Sequence, residues 1–386
     1  MLIRIKKKHF VLIIIIIIVL IYCQKSTFVT NSPKYDYSLF LKEGNYTADY
    51  WPTDGWRACR PEEVGMDSIG LMAVYGYAAN PNLNTEGLII IKKGYIVGEA
   101  YFQGFSPSTR HDSYSVAKSF SSALIGIAVD RGLISTVDEK IYCFFSQWQT
   151  PNTDTLKQSI SIEHVLQMGT GLEWKEDNYY EGFEATDVYA MIQSNDHLEF
   201  VLNKPINDPP GTIWRYSTGN SALLSGVIEY TSGATAYNFA RENLFNKIGT
   251  MGIIWDHDRA GHTITGFGIH ATVREFAKFG YLYQNYGEWD GEQVVSRAWI
   301  EKSMQPVTER VHYYGYHWWR KSVFQGHDES NVPENTMIAW GIYTQQIFIM
   351  PDEEIVIVRV GNDPNPSEDD WKEIEFLTLV LQAQKK

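Results

Sequence analysis

Two apolar hairpins stand near opposite ends of this 386-residue chain, and the periodicity between them is helical. The first hairpin, Glu86-Gly-Leu-Ile-Ile-Ile-Lys-Lys-Gly-Tyr-Ile-Val-Gly-Glu-Ala-Tyr-Phe102, turns at Lys92-Lys93-Gly94. The second runs through Gln346-Ile-Phe-Ile-Met350, turns over Pro351-Asp-Glu-Glu354 and returns as Ile355-Val-Ile-Val-Arg-Val360. Between them the apolar spacing predicts helices over Lys118–Gly132, Ile162–Met168, Asp187–Leu202, Ala222–Thr231 and Thr272–Tyr283. Further helices are expected from Asp67 to Ala79 and from Ser367 onward, the latter with Glu368, Asp369 and Asp370 in its first turn. A doubly wound parallel sheet would alternate strand and helix, and this chain does not. The fold class expected is therefore α/β of the α+β kind. One antiparallel sheet is built from the two ends and flanked by terminal helices, with an all-helical domain inserted. Residues from about 51–114 and 284–386 should supply the sheet, and about 115–283 the helical part. A cleft forms where two such layers meet.

The head of the chain has a different character. Arg4, Lys6, Lys7 and Lys8 precede the apolar run Phe10 to Tyr22, which ends at Cys23. A basic start followed by about a dozen apolar residues is the layout of an export signal. It is short for a membrane span of roughly 20 residues. Residues 1–23 are expected to be either a lipoprotein leader, with Cys23 lipidated, or an uncleaved anchor. Both readings place the remainder in the cell envelope, outside the cytoplasm, and both make the membrane a partner. Residues 24–50 show no sustained period and read as a tether, with the folded domain at 51–386.

Composition excludes several classes. The chain carries 33 basic and 46 acidic side chains, a net charge of −13, and none of the acids lies in residues 1–23. Nucleic acid is not an expected partner, because phosphate binding needs clustered Lys and Arg. Three cysteines do not make a disulfide scaffold. Cys59 and Cys143 can pair in an oxidising compartment or stand as free thiols. No Cys-x-x-Cys or His-Glu-x-x-His occurs, so there is no sequence case for a structural zinc or a zincin site, and the candidate chemistry calls for no metal or organic cofactor.

Two segments carry candidate chemistry. In Ser115-Val116-Ala117-Lys118 a lysine three residues after a serine lies on the same helical face, within reach of its hydroxyl. Serine is a weak nucleophile until a base takes its proton, and a desolvated lysine can be that base. The polar His111-Asp112-Ser113-Tyr114 places Ser115 at a strand-to-helix boundary. In Pro209-Pro-Gly-Thr-Ile-Trp-Arg-Tyr216-Ser217-Thr218-Gly-Asn220 a turn, a short extended stretch and a helix start place Tyr216 on a tight connection. A phenol near a lysine ammonium can have its pKa lowered and relay protons, or it can simply be a half-buried tyrosine bonded locally. No Gly-x-Ser-x-Gly elbow is present.

Ser115-Val-Ala-Lys118 and Tyr216-Ser217, in this order, resemble the first two motifs of the serine β-lactamase/penicillin-binding superfamily. Trp51 to Trp56, Pro61 to Met66, Ile162 to Met168 with Gly171-Leu172, and Phe276 to Tyr283 with Gly291 to Val295 resemble its class C-like branch, which includes family VIII esterases and 6-aminohexanoate-dimer hydrolases. The resemblance implies a β-lactamase/transpeptidase-like fold. It also implies Ser115 as acylated nucleophile, Lys118 as its base and Tyr216 as proton relay.

There are departures. Class C enzymes read Tyr-x-Asn in the second motif, where this chain has Thr218, with Asn220 two residues late. The third motif of the superfamily has Lys or His, where this chain reads Trp340-Gly341-Ile342-Tyr343-Thr344-Gln345-Gln346. Without that cation, binding of an anionic β-lactam should weaken. A backbone N–H from Ile342, Tyr343, Thr344 or Gln345 can still complete an oxyanion hole with that of Ser115. The expectation is a serine hydrolase acting on a small-molecule ester or amide. The alternatives are a penicillin-binding-like peptidase or β-lactamase, and a catalytically silent binding protein on the same fold. The acidic stretch Glu176, Asp177, Glu181, Glu184 and Asp187 can face a cationic substrate group or plain solvent. Tyr313-Tyr314 and Trp318-Trp319 can line a cleft or fill core.

Overall fold

The computed structural model describes residues 40–48, 50–150, 153–176, 182–324, 331–362 and 371–385. All of them belong to one compact unit, Tyr37–Lys386. Residues 1–23, including Cys23, lie outside the described residues, as do Asp177, Glu181 and residues 367–370.

Six antiparallel strands form the central sheet: β1 (Thr85–Lys92), β2 (Tyr95–Tyr101), β3 (Trp319–Arg320), β4 (Met337–Gly341), β5 (Gln345–Met350) and β6 (Ile355–Gly361). Their order is β2-β1-β6-β5-β4-β3. The two ends of the chain meet at the sheet centre, where β1 pairs with β6 and Ile90 faces Ile357. The β1–β2 turn uses Lys93 (φ 50°) and Gly94 (φ 80°), both left-handed, as the twist of a two-residue hairpin turn requires.

Both faces of the sheet are covered, which explains why its strands read as unbroken apolar runs. Ile89, Ile91, Ile347, Ile349, Val356 and Val358 pack with the inserted helices. Leu88, Ile90, Phe348, Met350, Ile355 and Ile357 pack on the other side, against α1 (Ser68–Ala78) and the C-terminal helix Glu373–Gln382. Asp67 starts α1 by accepting a hydrogen bond from the Gly70 N–H at 2.8 Å.

The inserted part is organised by α2 (Ala117–Asp130), α3 (Thr218–Ser232) and α4 (Val273–Gln284). Residues 117–128 of α2 are all buried. α4 begins with a reciprocal Thr272–Glu275 capping box and lies on the sheet. Gly280 permits this approach: a Cβ there would meet Val356 Cγ1 at 2.6 Å and Ile347 Cγ2 at 2.9 Å.

Three details differ from the sequence expectation, and one that it left open is decided. Asp187–Leu202 is two helices, Asp187–Gln193 and His197–Leu202, because Asp196 caps the second at the Glu199 N–H and Ser194 bonds back to the Met191 carbonyl. The middle of the chain also holds a small antiparallel sheet in the order Arg110–Asp112, Ile269–Thr272, Ile254–Trp255. The described end of the 24–50 stretch is packed, with Phe40 buried against Gly98 of β2 and Thr47 bonded to the Tyr95 hydroxyl. Cys59 is buried, Cys143 is exposed, and both are free thiols.

If Gly280 sets the distance between α4 and the sheet, Gly280→Val should destabilise the fold by about 1–3 kcal/mol through overpacking. Urea unfolding measures this, and an unchanged midpoint would show that the contact is looser than the geometry requires.

Candidate active site

Ser115 sits in a 3₁₀ turn, Tyr114–Val116, that runs directly into α2. The preceding strand Arg110–Asp112 pairs with Ile269–Thr272 and anchors the turn from behind. Tyr114 adopts φ 43°, an uncommon conformation for a bulky residue, held by its N–H bonding to Asp112 Oδ1 at 2.8 Å. Ser113 adds two bonds to Ile269: its N–H to the carbonyl at 2.7 Å and its hydroxyl to the N–H at 3.1 Å. The nucleophile candidate therefore rests on a turn braced from several sides.

Lys118 follows one turn later and is 1% exposed. Its Nζ lies 2.9 Å from Ser115 Oγ, 3.0 Å from Thr218 Oγ1 and 3.0 Å from the Gly266 carbonyl oxygen. These three contacts use all three N–H groups of an ammonium. Burial lowers its pKa to about 8, against the opposing pull of the Glu176 charge. The first turn of α2 is also fixed by His317, whose Nδ1 bonds the Lys118 carbonyl at 3.2 Å and whose carbonyl accepts the Ser119 hydroxyl at 2.8 Å. Burial pushes this imidazole down to about 3, so it is neutral.

Tyr216 lies on the extended stretch between the Pro209–Thr212 turn and α3, whose first turn is capped by the Ser217 hydroxyl at the Asn220 N–H. Lys118 Nζ is 5.0 Å from its ring centroid. Trp319 stacks on the ring at 5.6 Å, and Tyr314 meets it edge-on at 6.2 Å. The sequence allowed a lowered phenol pKa; the structure gives the reverse. Burial, reinforced by the Glu176 charge, pushes Tyr216 up, and a hydrogen bond with Ser115 only partly offsets this. The phenol is thus protonated at neutral pH, beside an amine whose pKa has moved down.

These groups open on a cavity of 680 Å³. Its walls are largely aromatic and aliphatic, including Phe183, Val188, Phe267, Trp319 and Trp340. Its charged lining residues are the acids Asp112 and Glu176, and no Lys, Arg or His lines it among the described residues. Of the four candidates on the third-motif strand, Ile342 and Tyr343 face the cavity. Thr344 and Gln345 do not: the Thr344 hydroxyl turns back to the Tyr343 carbonyl, and the buried Gln345 amide bonds the Gly361 carbonyl. Gly341 lies against the nucleophile turn, where a Cβ would meet the Ser113 carbonyl oxygen at 2.6 Å and the Ser115 nitrogen at 3.1 Å. The end of this strand, Gly341 to Tyr343, therefore runs past the Ser115 N–H at the cavity wall.

The remaining candidates separate. Glu176 joins the site through Thr218, with the hydroxyl donating to Oε1 at 2.6 Å. Glu184 is exposed. Asp187 is structural, paired with Lys204 at 2.5 Å and accepting the Lys175 N–H at 2.7 Å. Asn220 is turned away from the lysine and accepts the Thr170 hydroxyl at 2.8 Å. Trp319 lines the cavity and Tyr314 backs it, whereas Trp318 packs on Tyr283 and Phe279 in the core. Thr218 and Gly266 were not marked as site residues by the sequence. Thr218 was visible only as a departure from the motif, and a backbone carbonyl leaves no sequence trace. Among the described residues no three His, Cys, Asp or Glu side chains converge to hold a metal.

Comparison with known proteins places the chain in a family. Residues 77–382 match the family model described as Beta-lactamase. A 6-aminohexanoate-dimer hydrolase of Paenarthrobacter ureafaciens is 21% identical over 327 residues, covering 77% of each chain. Among solved structures, a penicillin-binding protein homolog from Caulobacter crescentus aligns with a TM-score of 0.61 at 13% identity, covering 81% of this chain and 96% of its own. EstCE1, a hydrolase with promiscuous acyltransferase activity, aligns at 0.63 and 13% identity, covering 82% and 98%. At those identities the structural likeness is one of fold. The family match spans most of the chain, and the chain belongs to the Beta-lactamase family of serine hydrolases.

Proposed function

We propose that this protein hydrolyses a small-molecule ester or amide through an acyl-enzyme on Ser115, and that it does so outside the cytoplasm, held to the envelope by its N-terminal segment. The observation that carries the chemistry is the 2.9 Å contact between Lys118 Nζ and Ser115 Oγ at a cavity wall. With a pKa of about 8, roughly a tenth of the lysine is neutral at pH 7 and available as a base.

In acylation, neutral Lys118 takes the Ser115 proton as Oγ bonds to the carbonyl carbon, and the carbonyl π pair moves onto oxygen. The N–H of Ser115 and one from the strand end at Ile342 or Tyr343 stabilise that oxyanion. When the tetrahedral intermediate collapses, the leaving oxygen or nitrogen departs with its electron pair and takes the Tyr216 phenol proton, and Lys118 returns a proton to the phenol. Water then attacks the acyl-enzyme by the same steps in reverse, giving the acid and regenerating Ser115. The acidic and apolar lining supports substrates without a carboxylate near the reacting carbonyl, against the β-lactam reading.

A fluorophosphonate probe should label the wild type and fail to label Ser115→Ala. Lys118→Ala and Tyr216→Phe should each lower kcat by at least about 100-fold. Near-normal turnover in either variant removes its assigned role. Hydrolysis of β-lactams as fast as that of short p-nitrophenyl esters would overturn the substrate reading.

The sign of the pH dependence follows from the base. Lys118 is inactive when protonated, so kcat/KM should rise about tenfold per pH unit below its pKa and level off above about pH 8. A profile that is flat between about pH 6 and 9 would rule out this lysine as the base. For export, the full chain should fractionate with the envelope, and a chain lacking residues 1–23 should remain in the cytoplasm. Equal cytoplasmic recovery of both would refute the assignment.

A further inference from the structure

A neutral primary amine has two hydrogens and one lone pair, and Lys118 Nζ meets three partners. Which partner faces the lone pair decides whether the amine can take a proton from Ser115. The Gly266 carbonyl, at 3.0 Å, can only accept. The Thr218 hydroxyl, also at 3.0 Å, can donate or accept in principle. Its single hydrogen is already committed, because Thr218 Oγ1 lies 2.6 Å from Glu176 Oε1 and an ionised carboxylate only accepts. Thr218 must therefore present a lone pair to Lys118 and receive an N–H. Both amine hydrogens are then used, and the lone pair is left for Ser115, the one partner with a hydrogen to give up.

Glu176 is held for this task. Its Oε2 accepts from Trp174 Nε1 at 2.6 Å and from the Thr218 N–H at 2.6 Å. All three groups that bond it are donors, and the two on Thr218 belong to the first residue of α3, where an anion is favoured.

We propose that Glu176 is a positioning residue of this hydrolase: by making the Thr218 hydroxyl an acceptor toward Lys118, it turns the lone pair of the amine onto Ser115. This rests on the reading of Lys118 as base. It also accounts for the departure in the second motif. An asparagine at position 218 would offer a carbonyl oxygen, which accepts only, and here a hydroxyl and a carboxylate reach the same result with two residues that lie 42 positions apart.

Glu176→Gln tests the proposal without changing size. The two N–H donors, Trp174 and backbone Thr218, hold the amide oxygen, which leaves the amide NH₂ facing Thr218 Oγ1. The NH₂ donates there and releases the hydroxyl hydrogen toward Lys118, where it competes with Ser115 for the lone pair. With a p-nitrophenyl ester over about pH 5 to 10, kcat should fall about 100-fold. The rising limb should also move to lower pH, because the charge that favours the ammonium is gone. Thr218→Val should lose a similar factor, and Thr218→Ser should keep kcat within about threefold of wild type. Wild-type kcat and an unmoved limb in Glu176→Gln would overturn the proposal. If Glu176→Gln does not fold, as judged by thermal unfolding, the Thr218 pair decides: a fast Ser and slow Val variant supports it, and equal rates overturn it. Ser115→Ala run alongside separates the two levels, since activity there would refute the acyl-enzyme itself rather than the orientation of its base.

Discussion

The site depends on burying one lysine without leaving it unsatisfied. An amine removed from water is costly unless each polar contact is replaced. Lys118 recovers those contacts from three separate regions of chain: Ser115 on its own turn, Thr218 at the start of α3, and the Gly266 carbonyl just before the strand Ile269–Thr272. The inserted helices must pack correctly for all three to converge, so core packing and reactivity are coupled. The same burial lowers the proton affinity of the lysine and makes it useful as a base near neutral pH. A lysine at this position on the surface would keep its proton and leave Ser115 an ordinary alcohol.

One environment moves two neighbouring groups in opposite directions. Burial disfavours the charged form of each, which means a neutral amine for Lys118 and a neutral phenol for Tyr216. The uncharged pair is a proton acceptor beside a proton donor, the combination needed to activate a nucleophile and then protonate a leaving group. The aromatic packing of Trp319 and Tyr314 around Tyr216 therefore has a chemical consequence as well as a mechanical one, because it excludes the water that would stabilise a phenolate.

The sheet was legible because its residues obey a local rule. Isoleucine and valine runs bounded by Lys93-Gly94 and Pro351–Glu354 can be little else than strands, and their positions at the two ends of the chain imply a sheet closed by pairing the ends. Ser115, Lys118 and Tyr216 were legible because all three lie close to the start of a helix: Ser115 on the turn into α2, Lys118 in its first turn, and Tyr216 just before α3. What escaped was non-local or backbone in origin. The split of Asp187–Leu202 hinges on Asp196 competing for backbone N–H groups, which apolar spacing does not register. The role of Glu176 depends on a contact with Thr218 that only the fold creates, so in sequence it was one acid among five. That Ile342 and Tyr343 reach the cavity while Thr344 and Gln345 do not depends on which way the strand end twists past Gly341. The direction of the Tyr216 pKa stayed open in sequence between a nearby lysine and burial, because only the fold shows that the phenol is enclosed.

The missing cation of the third motif takes on a different meaning in this setting. Among the described residues, the charged side chains lining the cavity are Glu176, bonded to Thr218, and Asp112. Burial raises Asp112, which softens that field but does not reverse its sign. A substrate carboxylate entering here would lose its water to aromatic walls and meet an acid instead of a lysine or arginine, a double cost that contacts elsewhere would have to offset. An uncharged acyl group suffers neither penalty and gains the apolar surface of Phe183, Val188, Phe267 and Trp340. The residue proposed to orient the base is thus also one of the two acids of the described pocket wall. A lysine in the third-motif strand would add a cation to the wall of the same cavity and weaken the field in which Glu176 holds Thr218. The absence of that cation and the presence of Glu176 are in this sense two sides of one electrostatic arrangement.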